Sequence, residues 1–370
     1  MEESVLKPLL KYPGGKTSEL SVIQKKLPKY IENYIEPFVG GGAVFFALNN
    51  SLHNYINDKS RELILLYRYV KDSNKTFFDE LNIIVNNWEN LETIPKGDLI
   101  SVYSRYKKDI RLNLQQEVYE IVKANILDGP MFNIRKKSSF EDYLIKCITS
   151  KLRLMKKNET KNARALNNEE IADNIEAGIK ASYYTYLRDV YNRPQEYNKL
   201  SEPRRVAIYF FIREYCYSSM FRFNSKGEFN VPYVGISYNK KSLKQKMKYF
   251  TDSKLKKLLK NTDIFDMDFE YFLSNIKLEK DDFMFLDPPY DTVFSEYDQN
   301  EFDNNDQVRL ANYLINKCPC NFMLIIKKTD FIMSLYEGKG LNIEEEDKNY
   351  HVSFKNRNAK RVKHLIITNY

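Results

Sequence analysis

The sequence predicts an α/β fold: a doubly wound, mostly parallel sheet interrupted by a long and mostly helical insertion. Three observations carry this. A strand-turn-helix-strand unit with a glycine-rich turn occupies Tyr34 to Asp58; the same alternation of short apolar runs and helical patterns returns from Phe283 onward; and between about Lys71 and Lys260 strand signals are sparse while charged helical patterns dominate. One α/β domain is therefore expected from residues 1–70 and 260–370 together. The inserted region is expected over 71–259, helical over about 88–205 and hairpin-like over about 217–235.

Taken in order, Tyr34-Ile35-Glu36 reads as a short strand, Gly40-Gly41-Gly42 as a turn, and Ala43 to Leu48 as a buried helix. Asn54 to Asn57 is the second strand, ending at Asp58, and Glu62 to Val70 is the helix that follows. Late in the chain, Phe283-Met284-Phe285-Leu286 is the unbroken apolar run of a strand covered on both faces. Asp306 to Ile315 then reads as a helix, Phe322 to Ile326 as another buried strand, and His364 to Thr368 as the last one. No internal repeat or low-complexity linker is visible.

Hydrophobic residues make up 43% of the 370, enough for a sizeable core and for two domains of ordinary size. No run approaches the roughly 18 apolar residues of a membrane span. Met1-Glu2-Glu3-Ser4 lacks the basic start of a signal peptide, so a cytoplasmic location is expected, without membrane contact. Cys147, Cys216, Cys318 and Cys320 are scattered, and His53, His351 and His364 stand at no zinc-ligand spacing from a cysteine pair, so no metal site is expected. Cys318-Pro319-Cys320 is too tight for a CxxC redox motif and reads as two small residues at the mouth of a buried strand. A net charge of +8 only hints at a polyanionic partner, but its distribution is uneven: 22 Lys and Arg face 15 Asp and Glu between Pro95 and Arg205. That surplus fits a solvated helical surface and a phosphate-contacting one equally.

Three motifs carry chemistry. Glu36-Pro37-Phe38-Val39-Gly40-Gly41-Gly42 stands where the first strand turns into the first helix, at the edge where such sheets bind cofactors, and glycines there let backbone approach a ligand. Asp58, at the end of the next strand, is placed to hydrogen-bond ribose hydroxyls, which leaves both a nicotinamide dinucleotide and S-adenosylmethionine open. Lys11-Tyr12-Pro13-Gly14-Gly15-Lys16-Thr17 ends like a P-loop, yet Leu10 occupies the position of the first glycine, so nucleoside triphosphate binding is rejected. The third motif, Asp287-Pro288-Pro289-Tyr290, follows directly on a strand. Its prolines remove two N–H donors and leave carbonyls and a carboxylate as acceptors, which suits the two N–H bonds of an exocyclic amino group, while Tyr290 offers a face on which a base can stack.

With these motifs in this order the chain resembles the Dam-like, D12-class adenine-N6 DNA methyltransferases. Lys11 to Lys16, Pro37 to Gly42, a recognition region around Arg222 to Gly235, and Asp287 to Tyr290 match that family's succession, over roughly residues 5–70 and 205–370. The resemblance implies a Rossmann-like methyltransferase sheet over 1–70 and 260–370, an inserted target-recognition domain carrying a β-hairpin, S-adenosylmethionine as cofactor and double-stranded DNA as partner. It implies a catalytic role for Asp287, Pro288, Pro289 and Tyr290, and cofactor contacts from Tyr12, Lys16, Glu36, Phe38, Gly40, Gly42, Asp58 and Asp287. Asp268 and Phe269 look like the pair beside the cofactor's adenine. Phe221 to Tyr233 looks like the family's DNA-entering hairpin, with Arg222, Asn224, Ser225, Lys226 and Asn230 as candidate DNA contacts.

Asp287 and the Pro288 carbonyl would then localise the lone pair of a flipped-out adenine amine for in-line transfer, with no covalent enzyme intermediate. A cognate restriction endonuclease is the further partner implied, and a monomer or weak dimer the expected state. The competing readings are a cytosine-N4 methyltransferase, in which Ser commonly stands where Asp287 is, and a catalytically silent DNA-binding subunit. Two features depart from the family: Lys327-Lys328 stand about where a Ser-Asn pair is common, and about 88–205 has no counterpart in shorter relatives. In that stretch Arg135-Lys136-Lys137 and Lys151 to Lys157, interleaved with Tyr103, Tyr106, Tyr183, Tyr184 and Tyr186, are expected to lie along phosphates.

Overall fold

The computed structural model describes residues 6–48, 51–124, 140–197, 200–290, 302–349 and 361–370. The chain forms two compact units, one of Met1–Asp72, Phe221–Phe223 and Phe250–Tyr370, the other of Ser73–Met220 and Asn224–Tyr249.

The first unit opens with α1 (Leu20–Lys25), β1 (Asn33–Glu36), α2 (Ala43–Ala47), β2 (His53–Asn57) and α3 (Arg61–Lys71). The second unit follows with α4 (Lys75–Asn90), α5 (Lys96–Lys108), α6 (Leu114–Ala124), α7 (Phe140–Asn162), α8 (Asn168–Asn192), α9 (Glu202–Tyr215) and α10 (Lys244–Tyr249). The first unit then resumes with α11 (Ser253–Lys260), β3 (Thr262–Phe265), α12 (Phe269–Asn275), β4 (Phe283–Leu286), α13 (Asn304–Asn316), β5 (Asn321–Lys327), α14 (Asp330–Tyr336), β6 (Asn342–Asn349) and β7 (Arg361–Thr368).

The strands of the first unit form a seven-stranded sheet in the order β3-β2-β1-β4-β5-β7-β6. β1 pairs in parallel with both β2 and β4, and β7 runs antiparallel between β5 and β6. The order reverses between β1 and β4, and in an open α/β sheet such a switch point leaves a crevice at the carboxyl ends of the strands. β4 is buried at every position, as its apolar run requires of a strand covered on both faces. At the opposite end, the buried Asp282 carboxylate accepts from the Asn33 backbone (3.2 Å), the Asn33 side chain (2.8 Å) and the Glu279 backbone (2.8 Å), which ties the start of β1 to β4.

β3 and β6 are strands that periodicity does not reveal. Thr262–Phe265 is only four residues long, and Asn342–Asn349 reads Asn-Ile-Glu-Glu-Glu-Asp-Lys-Asn, with charges that suit an edge strand by discouraging pairing with another chain. The first unit also resumes earlier than the expected boundary at 260. Asp252 caps α11, whose Leu255, Leu258 and Leu259 are buried and which leads directly into β3, so its lysines decorate a helix of the sheet unit and not of the insertion.

The second unit is built around α8, a 25-residue helix opened by a capping box in which Asn167 accepts from the Glu170 backbone and Glu170 from that of Asn167. Thirteen of its residues are buried, far more than one stripe, because neighbouring helices cover it on several sides. Trp88 of α4 meets Tyr215 of α9 at 4.4 Å between ring centroids, Phe211 at 5.3 Å and Tyr183 of α8 at 6.3 Å. The buried Lys180 ammonium stands 4.9 Å from the Trp88 ring and donates to the Asn239 carbonyl and to Glu92. The five tyrosines expected among phosphate contacts, Tyr103, Tyr106, Tyr183, Tyr184 and Tyr186, are all buried. Their spacing is that of a helical core.

Because Trp88 joins three helices at 1% exposure, Trp88→Ala is expected to cost about 3–5 kcal/mol. Urea unfolding followed by circular dichroism measures this, and a loss under about 1 kcal/mol would deny Trp88 that role.

Candidate active site

The glycine-rich loop between β1 and α2 lies at the carboxyl edge of the sheet, beside the switch point. Asp58, leaving β2, accepts from the Gly40 backbone N–H (2.8 Å) with one oxygen and from the Ser60 N–H (2.9 Å) with the other. Burial raises its carboxyl above the ordinary range, and these N–H bonds pull the other way. Asp58 thus clamps the loop, a role its position alone did not disclose; its carboxylate still has acceptor sites left for a hydroxyl donor.

The glycines do more packing than the sequence suggests. A Cβ on Gly41 would stand 2.9 Å from Cβ of Tyr12, and Gly40 lies against the Tyr12 ring. Gly42, a candidate cofactor contact, has φ +73°, and a Cβ there would stand 2.5 Å from the Tyr67 hydroxyl and 2.9 Å from the Phe46 ring, so on that side the close approach is to protein. Tyr67 also donates to the Gly40 carbonyl at 3.1 Å, a contact with no sequence signal beyond an apolar helical position. Glu36 is buried and accepts from the Tyr34 hydroxyl two residues away on the same strand face (2.7 Å). Burial raises the Glu36 carboxyl well above the usual range; the Tyr34 bond opposes this, and the charges of Asp287 and Asp58 add to it.

Asp287 to Tyr290 leave the end of β4. Pro288 is buried, Pro289 exposed, and Asp287 and Tyr290 half-buried. Lys16, only 2% exposed, forms a close ion pair with Asp287, and its ammonium donates to the Tyr290 hydroxyl and to the Gly14 carbonyl, each at 3.2 Å. The Tyr290 ring meets His364 of β7 edge-on at 5.4 Å, a neighbour the order of motifs does not indicate. The N-terminal motif thus reaches the Asp-Pro-Pro-Tyr turn through Lys16 and the glycine-rich loop through Tyr12.

On the other side of the loop, Phe38 packs 5.5 Å from both Phe269 and Phe302, and Phe269 lies 5.8 Å from Phe302. Phe38 is only partly buried. Asp268 caps α12 by accepting from Glu270 N–H (3.0 Å) and pairs with Arg309 of α13 (2.7 Å). Burial would raise its carboxyl, but the Arg309 and backbone hydrogen bonds outweigh that and leave it below the usual value. Arg309 also binds Glu270 and Asp306 and covers the Phe269 ring at 4.9 Å.

The recognition region is not a regular β-ribbon. Cys216 bridges antiparallel to Tyr233, Phe223 and Phe229 are also bridge residues, and between them lies a tight turn in which Asn224 N–H donates to the Glu228 carbonyl and Gly227 N–H, at φ +73°, to the Asn224 carbonyl. The return arm is fastened to α8: Tyr184 and Arg188 donate to the Val231 carbonyl, and Asn192 makes paired bonds to the Phe229 backbone at 2.8 and 2.9 Å. The Asn224 amide, expected to contact DNA, is engaged inside the turn with the Lys226 and Glu228 backbone and the Glu228 carboxylate. Ser225 and Lys226 are exposed at the tip, and Asn230 lies between the buried Phe229 and Val231. Arg222 is exposed and belongs, with Phe221 and Phe223, to the first unit, where Phe221 meets Tyr12 at 6.1 Å.

A family model for the D12 class of N6 adenine-specific DNA methyltransferases matches residues 12–129 and 129–352. The chain belongs to that class. It is an adenine-N6 DNA methyltransferase with the Rossmann-like sheet of such enzymes. It is 28% identical to the Type II methyltransferase M.MjaIII of Methanocaldococcus jannaschii over 90% of this chain and 89% of that one. Identity to the Type II methyltransferase M.CviBI of Paramecium bursaria Chlorella virus NC1A is 25% over 99% and 100%. The DNA adenine methylase of Salmonella typhi is 28% identical over 35% of this chain and 47% of its own. The D12 assignment sets aside the cytosine-N4 and silent-subunit readings.

In this methyltransferase the basic residues expected along phosphates are partly occupied elsewhere. Lys156 donates to the Tyr106 and Lys107 carbonyls at the end of α5, and Lys151 packs against Gly178. Arg153 and Lys157 are exposed, and Arg135-Lys136-Lys137 lie outside the described residues. No helix among the described residues is long and apolar enough to cross a membrane.

Positive φ and the Tyr67 contact together make Gly42→Ala cost about 2–4 kcal/mol. Thermal denaturation of Gly42→Ala, Tyr67→Phe and the double variant is expected to show the double losing less than the sum of the singles; strict additivity would refute the clash.

Proposed function

We propose that this adenine-N6 DNA methyltransferase uses S-adenosylmethionine and acts on an adenine flipped out of double-stranded DNA, with Asp287 and Pro288 as the groups that meet its amine. The observation that carries the reading is the Asp287 to Tyr290 turn at the end of β4, beside the switch point, with Asp287 held by Lys16. The cofactor's fit rests on the donor set: Asp58 keeps acceptor sites for ribose hydroxyls, and the Phe38, Phe269 and Phe302 cluster offers a partly exposed aromatic surface for a purine. Tyr12, Lys16, Glu36 and the loop at Gly40 would border it. Bound there, S-adenosylmethionine supplies an electrophilic methyl group.

The amino nitrogen of adenine is a poor nucleophile because its lone pair is delocalised into the ring. The Asp287 carboxylate accepts one of its N–H bonds and the Pro288 carbonyl the other, which localises the lone pair and aims it in line. Lys16 holds the carboxylate at the end of β4 through its ion pair. Tyr290 stacks on the base once it has left the helix. The contribution of these groups is positioning and acceptor electrostatics.

The second unit supplies target recognition in this reading, with its Ser225-Lys226 tip, and Arg222 of the first unit, as the DNA-contacting side chains. Two relatives aligned over nearly the whole length of both chains carry the name Type II methyltransferase, whereas a DNA adenine methylase matches about a third of this chain. That favours a restriction-modification role, paired with an endonuclease of the same target; a cytoplasmic location and a monomer or weak dimer as the working form complete the proposal. Expression in a host lacking adenine methylation, followed by genome-wide mapping of modified bases, tests the activity and reads the target sequence; an unmodified genome would contradict it.

Asp287→Ala is expected to abolish methyl transfer; because it also leaves the buried Lys16 ammonium without its carboxylate, Tm falls as well, and the rate is read on the folded fraction. More than a few per cent of residual activity would contradict the mechanism. Asp58→Ala is expected to raise KM for the methyl donor by about tenfold to a hundredfold, with kcat nearly kept, as for a contact made equally in ground and transition states. Equal losses in both would assign Asp58 to the loop clamp alone.

A further inference from the structure

We propose that Gln307 is a positioning residue for methyl transfer: its amide Nε2 donates to the Pro289 carbonyl at 2.8 Å and holds the backbone of Asp287-Pro288-Pro289-Tyr290 in place. The inference rests on the reading of that motif as the catalytic one.

The motif needs an outside support. The β4–β5 ladder ends at the Leu286–Leu324 pair, and neither Pro288 nor Pro289 has an N–H with which to fasten the turn that follows. Gln307 supplies a donor where the chain has removed its own. The Pro289 oxygen can only accept, so it is the amide nitrogen of Gln307 that faces it.

Gln307 also stands where a core residue is expected. On α13 it opens the stripe continued by Leu310, Ala311 and Leu314, at positions i, i+3, i+4 and i+7, and it is completely buried. Its Oε1 is buried with no hydrogen-bond partner among the described residues. A leucine here would bury no polar atom, so stability alone does not account for an amide that satisfies only one of its ends. The bond to Pro289 does.

The donor is carried on a rigid element. α13 starts with a capping box in which Asp303 accepts from the Asp306 N–H (3.0 Å) and Asp306 from that of Asp303 (3.2 Å). Two residues beyond Gln307, Arg309 ties the helix to Asp268 and Glu270. One helix therefore holds both the catalytic turn and the acidic cap beside the aromatic cluster. If the Pro289 carbonyl shifts, Asp287 and Tyr290 on either side of it turn away from Lys16 and from the amine.

The test uses the full-length protein and plasmid DNA from a host lacking adenine methylation, with labelled methyl donor, in single turnover. Gln307→Leu and Gln307→Met, both good helix formers of similar volume, are compared with Leu314→Ala, a core truncation on the same helix, and with Asp287→Ala. Expected is a fall in methylation rate of about tenfold to a hundredfold for both Gln307 variants, as for a reacting group displaced by about 1 Å. Affinity for the methyl donor should stay within about twofold and Tm be unchanged or raised, whereas Leu314→Ala lowers Tm and keeps the rate of the folded fraction. Full rate in either folded Gln307 variant, a loss that only tracks Tm, or failure of both to fold would overturn the proposal. An inactive Asp287→Ala beside a fully active Gln307→Leu would sink this inference alone, and an active Asp287→Ala would sink the reading of the motif as well.

Discussion

The ion pair between Lys16 and Asp287 is the interaction on which the rest of the active site depends. An ammonium at 2% exposure is tolerated only if its charge and its N–H bonds are met, and here a carboxylate, a tyrosine hydroxyl and the Gly14 carbonyl meet them. The charges of Asp287 and Asp58 each add to the raised Glu36 value, and Lys16 sets a cation against the first of them. The pair also imposes geometry. It joins residues 16 and 287, and Tyr12 from the same N-terminal motif lies against Gly40 and Gly41, so the Asp287 to Tyr290 turn and the glycine-rich loop share one support.

That shared support explains which glycines the loop requires. Gly40 and Gly41 leave room for Tyr12, while Gly42 leaves room for Tyr67, whose hydroxyl returns to the Gly40 carbonyl. Asp58 closes the same loop from β2. The loop is held by side chains from three directions before any ligand arrives, which is the preorganisation that makes positioning effective in catalysis.

The parts of this architecture legible in the sequence are those whose signal is local. Phe283-Met284-Phe285-Leu286 announces a doubly covered strand because nothing polar interrupts it, and Asn224 to Gly227 announces a turn because Asn and Gly suit its dihedral angles. β6 escapes because its acidic residues look like a solvated loop, and the recognition segment's attachment to α8 escapes because Tyr184, Arg188 and Asn192 bind backbone carbonyls and N–H groups some 40 residues away. Gln307 carried a faint signal, a polar residue in an apolar stripe. Its meaning needed Pro289 beside it.

A count of charges does not say which ammonium groups face solvent, and the reason is physical. A lysine tally treats each ammonium as available, yet helix ends and buried carboxylates claim many of them: Lys156 closes α5, and Lys241 and Lys246 converge on Glu214, 5% exposed, whose carboxyl burial would raise but these lysines hold below its usual value. From Lys240 to Lys260 there are nine lysines against Asp252 alone, more basic residues than any stretch of that length between Pro95 and Arg205 holds. Lys254, Lys257 and Lys260 stay exposed on α11 because Leu255, Leu258 and Leu259 take the buried face. Whether a basic residue faces solvent or serves the fold is thus decided by the helix phase and by the nearest carbonyl or carboxylate, and only the first of these can be read from the sequence.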